Sequence, residues 1–159
     1  MTVARISSMR QRLTRLDELY PGYSIYFITC CTHERRTLLT NPVMHDAFRA
    51  FCDLARQRNV LIGRYVIMPD HIHFFVDLPD EIKISMWMKS LKNCLSKALR
   101  HSGKQAPHWQ KGYFDHVVRS EQSYEEKWIY VRENPVRKGL ISEAKMWPYQ
   151  GEMNSVPFD

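Results

Sequence analysis

Residues 68–78 read Met68-Pro69-Asp70-His71-Ile72-His73-Phe74-Phe75-Val76-Asp77-Leu78, and this stretch decides the fold. Pro and Asp in the gap between two apolar runs make a turn, so Ile62–Ile67 and Ile72–Leu78 are expected to pair as an antiparallel hairpin. Side chains alternate across a strand. Ile72, Phe74, Val76 and Leu78 therefore share one fully apolar face, which must meet helices. His71, His73, Phe75 and Asp77 share the other, which places both imidazoles on the open face of the sheet.

Working outward from the hairpin, Tyr23–Thr32 is dense in aromatic and β-branched residues and reads as a strand. Asn41-Pro42 supplies a cap and a first-turn proline for a helix to about Arg58, with a stripe of Val43, Ala47, Ala50, Phe51 and Leu54. On the other side, Ile84, Met88, Leu91, Leu95 and Leu99 recur at helical spacing. They predict an amphipathic helix ended by Ser102-Gly103, with Lys89, Lys92, Lys97 and Arg100 on its outer face. Residues 113–118 suit a fourth strand. A last helix opens near Ser120 or Ser123, where Ser123 and Glu126 have capping-box spacing, and stops near Asn134 because Pro135 follows. This order predicts an α+β, ferredoxin-like (RRM-like) fold: an antiparallel four-stranded sheet with helices on one side, plus a C-terminal helix.

Composition bounds the function. The 159 residues are 44% hydrophobic and 25% charged, which suits one domain with a real core and excludes a disordered chain. Cys30, Cys31, Cys52 and Cys94 form no Cys-x-x-Cys, so buried free thiols are expected rather than disulfides or structural zinc. No apolar run reaches membrane length and the Arg-rich start lacks an apolar signal core, so a cytoplasmic, nucleoid-associated protein is expected. Lys and Arg exceed Asp and Glu by 23 to 17. That excess leans toward an anionic partner such as nucleic acid.

The last helix adds chemistry. Tyr124, Trp128 and Val131 form its buried stripe, while Tyr130 and Asn134, four residues apart, stack on another face. Two imidazoles and an amide carbonyl make a neutral ligand set that leaves a bound cation its full charge toward a phosphate oxygen. A phenol is a weak nucleophile unless its electrophile is polarised in this way. The combination suits breaking and rejoining a phosphodiester.

Met68–His73 followed by an apolar strand resembles the His-hydrophobe-His motif of the single-tyrosine HUH transposases. Residues 128–140, Trp128 through Asn134-Pro135 to Gly139-Leu140, resemble the tyrosine helix of their REP-associated branch, relatives of insertion-sequence transposases. Tyr26-Phe27-Ile28-Thr29, Phe114-Asp115-His116, Arg119-Ser120-Glu121 and Trp147-Pro148-Tyr149 extend the likeness over residues 23–149. The resemblance implies a basic arm over 1–22, an HUH transposase domain over 23–149 and a tail over 150–159. It implies that His71, His73 and Asn134 hold Mg²⁺ or Mn²⁺, and that Tyr130 attacks single-stranded DNA to give a 5′-phosphotyrosine and a free 3′-hydroxyl. Asn134 stands where the mobile branch has Gln and is one methylene shorter, so this ligand must come closer or act through water.

The implied partner is single-stranded or hairpin (REP-like) DNA, with no membrane, no nucleotide cofactor, and a monomeric or homodimeric protein. Candidate DNA contacts are Arg35, Arg36, Lys89, Lys92, Lys97 and Arg100, each of which also suits a solvated face. Trp109, Tyr113 and Phe114 are candidates for stacking on bases or for core packing. Two other readings stand beside the transposase: a non-catalytic single-stranded nucleic-acid-binding protein on the same fold, and a metal-dependent hydrolase using His71, His73 and Asp77.

Overall fold

The computed structural model describes residues 25–158. The arm over 1–22 and the first residues of the predicted strand, Tyr23 and Ser24, lie outside the described residues. Strand β1 spans Ile25–Cys31, β2 Leu61–Met68 and β3 His71–Asp77. β2 and β3 form the expected hairpin, with Met68 opposite His71. Pro69 and Asp70 alone fill the turn. β4 (Phe114–Val117) pairs antiparallel with β1, and β1 pairs antiparallel with β3.

The sheet has five strands in the order β4-β1-β3-β2-β5. Its first four members reproduce the ferredoxin-like order. The fifth, Gln150–Glu152, pairs with β2, so the segment expected to be a tail over 150–159 begins inside the sheet. Its three residues are too short to show an alternating pattern, and the partner strand's free edge creates the strand.

Helix α1 spans Pro42–Ala55 and is capped by the Asn41 side chain, which accepts from the Met44 N–H. Its buried stripe is Met44, Phe48, Cys52 and Ala55, whereas Val43 and Leu54 are 53% and 63% exposed. The predicted stripe is thus displaced by one position. Two overlapping apolar stripes run along this helix, and the sheet took the one carrying Phe48. Helix α2 (Ile84–His101) buries Ile84, Met88, Leu91, Leu95 and Leu99 as its periodicity requires. Gly103 follows its end with φ 78°, the left-handed conformation that a helix stop uses.

Helix α3 (Glu121–Arg132) is capped by Ser120, whose hydroxyl accepts from the Ser123 N–H. A second short helix, α4 (Asn134–Arg137), begins at Pro135's turn. Proline lacks the N–H that a first turn does not need, so it starts this helix rather than only ending the one before.

Helices α1 and α2 pack against Ile28, Ile72, Phe74 and Val76. The opposite face is covered too: Phe27, Val66, Met68 and Phe75 pack with Tyr124 and Val131 of α3 and with Trp147. The face expected to be open is therefore a second, smaller core. All four cysteines are free thiols. Among the described residues no helix is long and apolar enough to cross a membrane.

Candidate metal and tyrosine site

His71 and His73 stand on the α3 face of β3, at the strand's first and third positions. Their Nε2 atoms approach to 3.1 Å. The outer nitrogens decide what those atoms can do. His71 Nδ1 lies 2.7 Å from a carboxylate oxygen of Asp70, which can only accept, so Nδ1 carries the proton and Nε2 keeps its lone pair. His73 Nδ1 lies 2.7 Å from the Thr29 hydroxyl on the neighbouring strand. That hydroxyl can accept its proton in the same way. Two bare nitrogens facing each other repel unless a proton donor or a cation lies near both.

Asn134 supplies such a donor. Its Nδ2 reaches His71 Nε2 at 3.4 Å and His73 Nε2 at 3.2 Å, while its carbonyl oxygen accepts from Arg137 Nη2 at 3.3 Å. For the carbonyl to face the imidazoles, the amide must turn over. Side-chain amides do this readily, since their two ends have nearly the same shape. Among the described residues no group of three or more His, Cys, Asp or Glu is placed to hold a metal ion, so any cation here relies on two imidazoles and the amide.

Burial keeps both imidazoles neutral. It pushes His71 below its ordinary value, against the opposing pull of Asp70. It pushes His73 further down, helped by His71 and by the positive charges of Lys127, Arg35 and Arg137. Neutral imidazole is the ligand form. Asp70 behaves conversely: burial would raise its carboxyl, but hydrogen bonds from His71 and Arg35 outweigh it and hold the group below the usual carboxylate range.

Tyr130 sits one helical turn before Asn134 and is 66% exposed. Its ring lies under the Arg137 guanidinium, 4.1 Å from centroid to carbon. Helix α3 reaches this position through directional contacts. Tyr124 Oη accepts from the Arg64 N–H at 3.0 Å, Arg64 pairs with Glu125 at 2.7 Å, and the Tyr124 ring packs on Phe75 at 4.0 Å.

The profile of the family described as "Transposase IS200 like" matches residues 23–134. That is most of the chain, and it contains His71, His73, Tyr130 and Asn134. The chain belongs to this transposase family. A Haemophilus influenzae protein provisionally named a REP-associated tyrosine transposase is 27% identical over 139 residues, covering 79% of this chain and 77% of that one. An Escherichia coli K12 protein named REP-associated tyrosine transposase is 25% identical over 126 residues, covering 78% and 73%. The solved structure of a REP-associated tyrosine transposase bound to a REP hairpin superposes with a TM-score of 0.64 at 25% identity. It covers 82% of this chain and 78% of that one.

Within this transposase fold, the expected DNA contacts fall in different places. Arg35 Nε binds the Asp70 carboxylate at 2.8 Å and Nη1 approaches Cys31 Sγ at 3.0 Å, so it buttresses the His71 support. Arg36 Nη1 donates to the carbonyls of Gln105 and Pro107. Lys92 is not on the outer face of α2. Its ammonium donates to the carbonyls of Gln110 and Gly112, and burial lowers its pKa. Lys89, Lys97 and Arg100 are exposed, but on the helix layer across the sheet from the histidines. Tyr113 is buried and Trp109 packs against the main core, its N–H donating to Ser96 and the Lys92 carbonyl. Asp77 is four residues along β3 from His73, on the order of 13 Å, and takes no part in the cluster.

Sequence reasoning missed three members of the site: Thr29, Asp70 and Arg137. Asp70 carried a signal, since an acid beside a ligand-like histidine in a tight turn has the His71 ring within reach. Thr29 and Arg137 carried none by themselves, because strand register and the new helix turn bring them in.

Proposed function

We propose that this transposase is a metal-dependent single-strand DNA endonuclease and strand-transfer enzyme that nicks and rejoins DNA at REP-like hairpins through a 5′-phosphotyrosine on Tyr130. The convergence of His71, His73 and Asn134 at one point, one helical turn from an exposed tyrosine, carries this reading. The E. coli relative's name and the hairpin in the superposed structure support the substrate class.

The donor set fits a divalent cation: two neutral imidazoles, that of His71 with its Nε2 left bare by the Asp70 carboxylate and that of His73 with an Nε2 that is bare when Nδ1 donates to Thr29, and an amide that can turn its carbonyl inward. Mg²⁺ or Mn²⁺, when bound, supplies Lewis-acid polarisation of a phosphate oxygen. Tyr130 Oη attacks phosphorus in line, the P–O3′ bond breaks, the phenol releases its proton to solvent and the 3′-oxygen takes one up. The covalent ester conserves the bond energy, so rejoining needs no ATP. A non-catalytic nucleic-acid binder on this fold has no use for two neutral imidazoles and an amide converging on one point, so that alternative leaves the cluster without a role.

The test is direct. The full chain is incubated with Mn²⁺ and a pool of 3′-labelled hairpin oligonucleotides with randomised single-stranded flanks, and an SDS-stable adduct is sought and mapped. An adduct on Tyr130 that disappears in EDTA and in His71→Ala is expected. No adduct, an adduct on another residue, or one formed equally in EDTA refutes the proposal.

A further inference from the structure

Arginines near the site differ in what holds them. Arg35 is paired with Asp70, Arg64 with Glu125 and Glu152, and Arg132 lies 3.8 Å from Glu133. Among the described residues Arg137 forms no ion pair with a carboxylate. It stands instead between the two halves of the site. One face of its guanidinium covers the Tyr130 ring at 4.1 Å, and Nη2 donates to the Asn134 carbonyl at 3.3 Å. Its charge is also felt at His73.

Stacking uses the flat face of a guanidinium and leaves its edge free, so most of the five N–H donors remain available. The backbone fixes where the side chain starts, and its contacts with Tyr130 and Asn134 hold the guanidinium. Arg137 closes the short helix α4, its N–H bonded to the Glu133 carbonyl at 2.9 Å, so it rides one turn beyond Asn134. Because the guanidinium touches both the Tyr130 ring and the Asn134 amide, it lies beside any anion shared by Tyr130 and the imidazole pair. A phosphodiester fits the guanidinium edge by charge and by fork geometry.

We propose that Arg137 is a catalytic residue of the cleavage reaction, donating from its guanidinium edge to a non-bridging oxygen of the scissile phosphate while its face holds the Tyr130 ring. This rests on the proposed tyrosine chemistry. Phosphorus gains the Tyr130 oxygen and loses O3′. Arg137 stays protonated throughout, stabilising the charge that gathers on the phosphoryl oxygens at the transition state. If Asn134 turns its carbonyl toward the imidazoles, it withdraws the acceptor now facing Arg137 and releases one more donor to the phosphate.

The experiment uses the full chain with Mn²⁺ and the hairpin oligonucleotide on which the wild-type protein forms its adduct. A second copy of that oligonucleotide carries a methylphosphonate, which lacks the anionic oxygen, at the cleaved position. Arg137→Ala should slow single-turnover cleavage of the natural phosphate by about 10²–10³-fold. DNA affinity should change by less than about threefold, because one contact among several is removed. Arg137→Lys keeps the charge but not the planar fork, and should recover no more than about a tenth of the lost rate. On the methylphosphonate, the penalty of Arg137→Ala should collapse to below about threefold. Cleavage by Arg137→Ala within threefold of wild type on the natural phosphate overturns the proposal. So does an equal penalty on both substrates, which would mean that Arg137 only holds the Tyr130 ring. If the wild-type chain forms no adduct at all, the tyrosine chemistry falls and this inference falls with it.

Discussion

Helices α2 and α3 are attached to opposite faces of one sheet by different physics. Helix α2 buries seven residues in its 18, an aliphatic stripe with Trp87 and Ser96 beside it. Helix α3 buries only Tyr124 and Val131 in its 12. What α3 lacks in apolar area it replaces with aimed contacts: Arg64 to Tyr124 and Glu125, Tyr124 on Phe75, and Lys127 over the Phe27 ring at 5.1 Å. Apolar burial is non-directional and tolerates small rotations about the helix axis. Hydrogen bonds and ring contacts fix the rotation, and rotation is what decides whether Asn134 meets the imidazoles. On this basis the α2 layer is expected to carry most of the stability and the α3 layer the proposed chemistry.

If the two layers are separate, a substitution in one should leave the property carried by the other intact. Tyr130→Phe should take the covalent adduct below detection while shifting unfolding free energy by no more than about 0.5 kcal/mol, since the side chain is exposed. A large loss of stability in a denaturant titration would contradict the division. Leu91→Ala should do the reverse. Leu91 is fully buried, and its truncation should cost about 2–5 kcal/mol in the same titration, with the cleavage rate of the remaining folded protein close to wild type.

A third variant probes the α3 attachment alone. A Cβ on Gly63 would stand 2.5 Å from Tyr124 Oη and 2.7 Å from Val156. Gly63→Ala should destabilise by about 1–3 kcal/mol as an overpacked contact and displace Tyr124. The ring resonances of His71 and His73 should move in NMR spectra, whereas those of α2 stay in place.

Acid sharpens the contrast further. His71 and His73 have folded values below the unfolded value of about 6.5, so below that pH the unfolded chain binds protons that the folded chain refuses. Stability is fully present above the unfolded value and is lost as pH falls through the window beneath it, by at most about 1.4 kcal/mol per pH unit for each histidine. His73→Phe should flatten this slope between pH 6.5 and 5, and an unchanged slope would show that the protons go elsewhere. The smallest effect belongs to Glu125→Gln, which weakens a half-exposed ion pair and should cost no more than about 1 kcal/mol.

The legible parts of the fold were those with a strong period. β3's apolar face and the α2 stripe each have one physical solution, and both lie where the pattern requires. The α1 stripe was misread by one position because two apolar stripes satisfy the same period, and Val43 and Leu54 look as apolar as Met44 and Cys52 until the sheet chooses. The fifth strand was illegible because three residues carry no pattern. In the site, the residues that cluster, His71, His73 and Asn134, were visible from spacing and resemblance. That Arg35 and Arg36 also bind Asp70 and backbone carbonyls, and that Lys92 is turned from the outer face toward the carbonyls of Gln110 and Gly112, was not, since a basic residue looks the same in sequence whether it faces water or a backbone carbonyl.

The helix expected to run through Tyr130 to Asn134 ends at Arg132, and Asn134 opens α4. From sequence alone it was determined that two histidines share one strand face and that α2 must cover the other side of the sheet. These follow from the strand and helix repeats, which are local geometry. That Asn134 meets both imidazoles on the β3 face was decided only in three dimensions. That meeting depends on how far along and at what rotation α3 lies on the sheet. Arg64, Tyr124 and the close approach to Gly63 set both, and all three contacts join residues about sixty positions apart in the chain.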